Sequence, residues 1–326
     1  MINKSTWYLL TAVVLVGLYL LLIDRRANST EERERQAATL LAFTPEHVQR
    51  LAIAAAGWTV ECERQRGGWF IVKPIHARAD PAQVDRVLYG LEALQVVETV
   101  TEAQMRSHGL TPASYRLDQP GVRITIEERG RPRIELRVGA NTPVGGTLYV
   151  QRNASLDVLI TSTNLRASLP ASLQSFRDRR FLYRDLRQVQ RIDLQWPDGY
   201  VQLALRNGAW MMQQPVAAPA DGHKVEQLVG ALANLAIVDF VADAQPDPLA
   251  YRLSVDDAAA QAALWWEGDE IGLRVFFGKE TPATNNTIYA RRGDGDSIYT
   301  VSRAILVCWP SKRLDLRDQH LRALQI

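Results

Sequence analysis

The sequence predicts an α+β fold: an N-terminal transmembrane helix, then a tandem duplication of a mainly antiparallel sheet-plus-helices module. Three observations carry this. The chain of 326 residues repeats its own motifs at offsets of 136 to 141 residues. Within each copy, runs of alternating apolar and polar residues are separated by short Gly, Pro and Asn turns, the pattern of antiparallel pairing. Ahead of both copies stand 17 residues without a charge, Trp7 to Ile23.

The apolar run comes first. Extended by Ser5 and Thr6 it would measure roughly 28 Å as a helix, enough to cross a hydrocarbon core. Trp7 and Tyr8 stand where an interfacial aromatic belt sits. Leu15, Gly17, Tyr19 and Ile23 complete the lipid-facing set. Asp24-Arg25-Arg26 follows at once, without a small-x-small cleavage site, so the segment reads as an uncleaved signal anchor over residues 1–26. Residues 27–46 read as a juxtamembrane stalk, with Glu31 and Arg35 paired one helical turn apart. The arginines after the anchor favour a cytoplasmic bulk by the positive-inside rule, whereas Lys4 and the amino terminus also favour holding the tail inside.

The first copy is assigned residues 47–187 and the second 188–326. Val48-Gln-Arg-Leu-Ala-Ile opens the first copy as a strand and returns as Val189-Gln-Arg-Ile-Asp-Leu. Thr59 to Arg64 follows, then a glycine turn and Trp69 to Val72; Gly208 and Trp210 repeat the turn. Asp80 is placed as a helix N-cap with Pro81 at the first helical position and Gln83 closing a capping box. Val84, Val87, Leu88, Leu91 and Leu94 follow at helical spacing. Asp221, Val225, Leu228, Val229, Leu232 and Leu235 repeat that stripe. Tyr115-Arg-Leu precedes strands at Val122 to Glu128, Arg133 to Val138, Leu148 to Gln151 and Asp157 to Thr161. A last helix is expected from Asn164 through Phe176. The second copy follows with strands at 191–195, 201–206, 210–213, 263–266, 273–277, 288–291 and 298–301.

The bulk numbers narrow the function. A net charge of +2 with mixed signs does not make the basic face of a nucleic-acid binder. Cys62 and Cys308 fall at non-equivalent places and read as unpaired thiols, with one bridge between the copies as the alternative. No nucleophile elbow, P-loop, dinucleotide fingerprint or zinc-protease helix occurs. The five histidines lack ligand spacing, and Asp294-Gly-Asp-Ser297 reads as a hairpin turn rather than a calcium loop. No catalytic, cofactor or metal residue is therefore assigned. Trp69 and Trp210 read as core plugs, with a ligand-stacking platform as the alternative. Gly139 and Gly278 read as structural turns, although a Gly-rich anion cradle has a similar look. Arg177-Asp178 and Arg317-Asp318 close the two copies and are the candidate contacts to a partner or between repeats.

Gly67 to Trp69, Ala79-Asp80, Tyr115 to Leu117, Gly139, Tyr149-Val150 and Phe176 to Asp178, set behind an N-terminal anchor, resemble the bacterial family known as domain of unknown function 4340. The resemblance covers about Val48 to Leu321 in two copies; Leu316 and Ala290 depart from it in the second. It implies no catalytic residue. It implies membrane-anchored accessory subunits, often encoded beside ABC-type export or gliding-type transport systems, with the bulk of the chain extracytoplasmic. The functional expectation is a non-catalytic envelope scaffold bound to membrane lipid through its first helix and to a transport complex through its modules. The alternatives are a glycan- or lipid-binding module using the cleft between the copies, and a hydrolytic enzyme of unrecognised type.

Overall fold

The computed structural model describes residues 39–243, 246–282 and 286–318. The anchor, its six named residues and the stalk up to residue 38 lie outside them. Among the described residues no helix is long and apolar enough to cross a membrane.

The chain forms two compact units, and the second begins at Arg179, ahead of the 187/188 boundary expected. Each is mostly sheet, with few helices. In the first unit the strands are β1 (Val48–Ala55), β2 (Trp58–Gln65), β3 (Gly68–Lys73), β4 (Ala77–Arg78), β5 (Glu98–Val100), β6 (Val122–Glu128), β7 (Ile134–Asn141), β8 (Thr147–Arg152) and β9 (Val158–Ser162). Its helices are α1 (Pro81–Glu92), α2 (Glu102–Ser107) and α3 (Asn164–Ser168). The nine strands form one antiparallel sheet in the order β4-β3-β2-β1-β6-β7-β8-β9-β5. In the second unit β10 (Val189–Trp196), β11 (Gly199–Arg206), β12 (Ala209–Gln214), β13 (Ala218–Pro219), α4 (Gly222–Ala233), β14 (Ile237–Ala242), β15 (Ala260–Trp266), β16 (Leu273–Glu280), β17 (Thr287–Arg292) and β18 (Ile298–Ser302) repeat the plan. Its order is β13-β12-β11-β10-β15-β16-β17-β18-β14.

Alternation decides the faces. Leu51 and Ile53 of β1, Val60 and Cys62 of β2, and Ile124 and Ile126 of β6 point to one side and are fully buried. α1 lays Val84, Val87, Leu88 and Leu91 on that side, each with no exposed surface. Full burial of such a side chain is worth about 1.5–3 kcal/mol, so the helix is held chiefly by this stripe. Asp80 caps it by accepting from the Ala82 amide (2.9 Å), with Pro81 following. The cap is therefore this single bond; Asp221 accepts from the Lys224 amide (3.2 Å) to cap α4.

Both helix ends are tied to the ends of the unit. The Asp80 amide donates to the Phe176 carbonyl (2.7 Å), and the Leu40 amide donates to that of Leu94 (2.9 Å). In the second unit the Asp221 amide donates to the Leu316 carbonyl (2.8 Å), and the Phe181 amide to that of Leu235 (3.0 Å). Arg152 Nη1 donates to the Leu40 carbonyl (2.8 Å) and Arg292 Nη1 to the Phe181 carbonyl (3.1 Å). These bonds set the unit boundary. Leu40 and Leu41 are buried in the first core, whereas Phe181, Leu182 and Leu186 belong to the second.

The expected helix from Asn164 through Phe176 is not continuous. α3 ends at Ser168, and a 3-10 turn covers Leu173–Phe176. Pro170 keeps Leu169 out of the helical region (ψ 138°). Pro310 acts likewise on Trp309 (ψ 139°). β5 and β14 are not foreseen: β5 has only three residues, and two register shifts in β14 break the alternation of its six.

The glycine that recurs in β7 and β16 has a steric cause. Arg116 and Arg252 adopt left-handed backbone (φ 57°) directly after Tyr115 and Tyr251. The tyrosine carbonyls then press on the neighbouring strand. A Cβ on Gly139 would stand 2.3 Å from the Tyr115 oxygen, and one on Gly278 2.2 Å from the Tyr251 oxygen. The rings close the arrangement edge-to-face, Tyr115 on Tyr149 (4.7 Å) and Tyr251 on Tyr289 (4.9 Å). Thr142 and Thr281 of the Thr-Pro pairs bond Thr147 and Thr287 across the hairpin. The motif is structural.

Gly139→Ala and Gly278→Ala should each lower stability by about 1–3 kcal/mol. Gly295, with nothing near its Cβ position, should tolerate alanine within about 0.5 kcal/mol. Urea unfolding compares the three. Cys62 is fully buried, and that burial pushes its thiol up to about 12. Cys308 is partly exposed, and both are free. In the native protein at pH 8 a thiol reagent should label Cys308 and spare Cys62 until denaturant is added; prompt labelling of both would contradict the buried placement.

Candidate functional site

The residues singled out from the sequence mostly serve the fold. Trp69 is buried in the first core, with the Arg64 guanidinium 4.9 Å from its ring centroid. Trp210, on the equivalent strand, packs partly buried against the second core. Arg177 and Asp178 are buried, and the chain there pairs with Ala79 while the Asp178 amide donates to the Arg78 carbonyl (3.1 Å). Arg317 pairs with Ala220 in the same way but is exposed, and the Asp318 amide donates to the Pro219 carbonyl (3.0 Å). All four residues thus clamp the segment before a helix. Asp294 to Ser297 form the turn between β17 and β18. Among the described residues no group of His, Cys, Asp and Glu is arranged to hold a metal ion.

The two units part company on the sheet face turned away from the helix. One end of this face is covered in each. Met105, Tyr115, Leu117 and Val158 make a small cluster in the first unit; Leu253, Ala258, Phe276 and Ile298 make one in the second. The remaining outer face is open, and strand register puts equivalent positions side by side.

In the first unit that face carries three groups of compensating charges. Arg50 stands between Glu63 on β2 and Glu127 on β6. It bonds both, at 2.5 and 3.0 Å. Glu63 as a hydrogen-bond partner holds the guanidinium above its ordinary pKa. Glu135 takes Arg137 at 2.9 Å and Arg123 at 3.5 Å, and Glu61 takes Lys73 at 3.1 Å.

In the second unit the same registers hold other chemistry. Arg191 stands between Ala204 and Trp265, where Arg50 has its two glutamates. Asp193, at the position of Ala52, stands between Gln202 and Ala263. Ala263 in turn neighbours Arg274, as Thr125 neighbours Glu135. Four glutamates have thus become Gln202, Ala204, Trp265 and Arg274. A groove of about 350 Å³ opens there, within the usual range for small-molecule sites.

Its electrostatics are local. Arg191 grips Asp193 with Nε and Nη2 (2.9 and 2.6 Å) and lies over the Trp265 ring, 4.3 Å from its centroid. The Tyr200 hydroxyl donates to Asp193 Oδ2 (2.9 Å) and Gln202 Nε2 to Oδ1 (3.3 Å). The Asp193 hydrogen bond holds Arg191 above its ordinary pKa. Burial, then the bond to Asp193, raises Tyr200. Trp265 leans on Gly272, where a Cβ would come within 2.4 Å of the indole. Gln261 is fixed by donating to the Val255 carbonyl (2.9 Å). Three side chains already occupy the Asp193 carboxylate, so the arrangement suits recognition more than proton transfer.

The molecule is thus a duplicated antiparallel-sheet module whose second copy carries an open polar and aromatic groove. A family described as "Domain of unknown function (DUF4340)" matches twice, over residues 69–254 and 210–325, and the chain belongs to that family. The matches begin at the equivalent residues Trp69 and Trp210, which agrees with the duplication. No curated protein and no solved structure matches the chain.

Asp193→Ala should cost about 1–2 kcal/mol, since it strips partners from Arg191, Tyr200 and Gln202 together. Glu127→Ala should cost less than about 0.5 kcal/mol, because half-buried Arg50 keeps its bonds to Glu63. Equal costs in urea unfolding would refute the contrast drawn between the two faces.

Proposed function

We propose that the chain is a single-pass, membrane-anchored protein of the bacterial cell envelope, with its two units on the extracytoplasmic side. It acts without catalysis, as a scaffold or accessory subunit of an ABC-type transport complex. The observation that carries the non-catalytic part is the groove itself. Its one carboxylate, Asp193, is already bound by Arg191, Tyr200 and Gln202, so the groove holds no free carboxylate to act as acid or base. The repeated residues support the same reading, because Asp80, Asp221, Gly139 and Gly278 are spent on caps and close packing. The anchor reading rests on the uninterrupted apolar run Trp7 to Ile23, and the transport setting on family resemblance.

A ligand-binding role is the second reading, and the exchange of four outer-face glutamates for an amide, a methyl, an indole and a guanidinium favours it. It places recognition on the second unit's own sheet.

Alkaline phosphatase fused after Ile326 should be active, and a fluorescent protein that matures only in the cytoplasm should be dark there. The reverse pattern would place the units inside and remove envelope partners. Deleting Met1 to Arg26 should move the protein from the membrane to the soluble fraction with a cooperative melt retained; an aggregated product would make the segment part of the fold. Full-length protein purified in mild detergent should bring transporter subunits with it in stoichiometric amount, and their absence by mass spectrometry would sink the accessory-subunit role.

A further inference from the structure

We propose that the outer-face groove of the second unit binds an acidic saccharide, with Arg274 taking the sugar carboxylate and Gln195 and Gln261 bonding ring hydroxyls. This goes beyond the scaffold role and does not depend on it.

The register supplies the layout. Ala263 sits at the centre of the groove, with Asp193 beside it on β10 and Arg274 beside it on β16. Trp265 and Gln261 stand on the same strand two residues to either side, and therefore on the same face. A methyl group between an acid and a base leaves a pit. The first unit fills that place with Thr125, to which Arg133 Nη2 donates (3.2 Å).

Charge comes next. Arg191 is neutralised by Asp193. Arg274 is exposed, and among the described residues no carboxylate lies within ion-pair distance of it and no side-chain hydrogen bond holds it. The groove thus offers one uncompensated cation. That suits a single carboxylate, not a polyanion, which calls for a row of cations.

The remaining groups select the rest of the ligand. β10 and β15 are interior strands paired on both sides, so their backbone has nothing to offer an added peptide strand. Recognition falls to side chains. Gln195 is exposed with a free amide, and Gln261 keeps its oxygen. Planar groups holding a donor and an acceptor side by side match adjacent hydroxyls, each of which gives and takes a hydrogen bond. Tyr200 and Trp265 supply flat apolar edges for ring C–H surfaces. A lipid would want an apolar trough, which these residues do not make.

The test uses the full chain in a zwitterionic detergent without a sugar headgroup. The probes are galacturonic acid, its methyl ester, acetate and a tripeptide with a free carboxyl terminus, followed by calorimetry and saturation-transfer NMR. The acid should bind saturably and the ester about tenfold more weakly, as expected for loss of a charge-assisted bond. Arg274→Gln should abolish the preference for acid over ester. Ala263→Leu should remove binding by filling the pit. Because Arg274 is exposed, its variant should melt like the parent, so a lost preference reads as lost recognition. The proposal is overturned by no saturable binding to a cooperatively folded chain, by equal binding of acid and ester, by an Arg274→Gln variant that still discriminates, or by acetate or the tripeptide competing as well as the sugar.

Discussion

One helix, tied at both ends, covers the inner face of a nine-stranded sheet, and the rest of each unit depends on that arrangement. The apolar stripe Val84, Val87, Leu88 and Leu91 packs on the sheet. The chain entering the unit bonds to the helix C-terminus, at the Leu94 carbonyl, and the chain leaving it bonds to the N-terminus, at the Asp80 amide. Both ends of the domain are therefore satisfied by backbone groups that a helix leaves without partners. The same two bonds recur at Leu235 and Asp221. The entry and exit segments are consequently part of the core, which is why the boundary lies at Asp178 and Arg179.

With the inner face closed, variation is free to accumulate on the outer one. The first unit uses that freedom to build mutually compensating ion pairs, several of them partly exposed and individually worth little. The second removes four of the carboxylates. Arg191 then turns to its own strand neighbour Asp193 and to the indole of Trp265, two partners that keep a guanidinium fixed without flanking glutamates. The unit retains its fold because none of the replaced groups faces the core. Scaffold and recognition surface are physically separable here, which fits the general rule that function is grafted on a fold.

The recurring motifs show how much local geometry can be set by one close approach. Tyr-x-Leu, the left-handed arginine and the strand glycine are three marks of a single contact between a carbonyl and a Cα. Arg152 and Arg292, which hold the entering chain by its carbonyl, belong to the same shared framework. They escaped notice in the sequence because a lone arginine at the end of a strand carries no periodic signal.

The duplication, the strand-rich order and the N-capped apolar helix were legible in the sequence. Each follows from local physics: a period of two, a period of about 3.6, and turn and cap residues that act within a few positions. The same residues told Asp80, Asp221 and the two glycines apart from catalytic groups, although the steric reason for the glycines lies in a residue more than twenty positions away. What tertiary structure alone decided is the pairing across strands. The exchanges of Glu61, Glu63, Glu127 and Glu135 for Gln202, Ala204, Trp265 and Arg274 are scattered over three strands of each copy, and nothing in linear order groups them. Register brings them to one face, and only then do a missing cage and an open groove become visible. Long-range antiparallel pairing is a property of the whole core, which no local window of sequence contains.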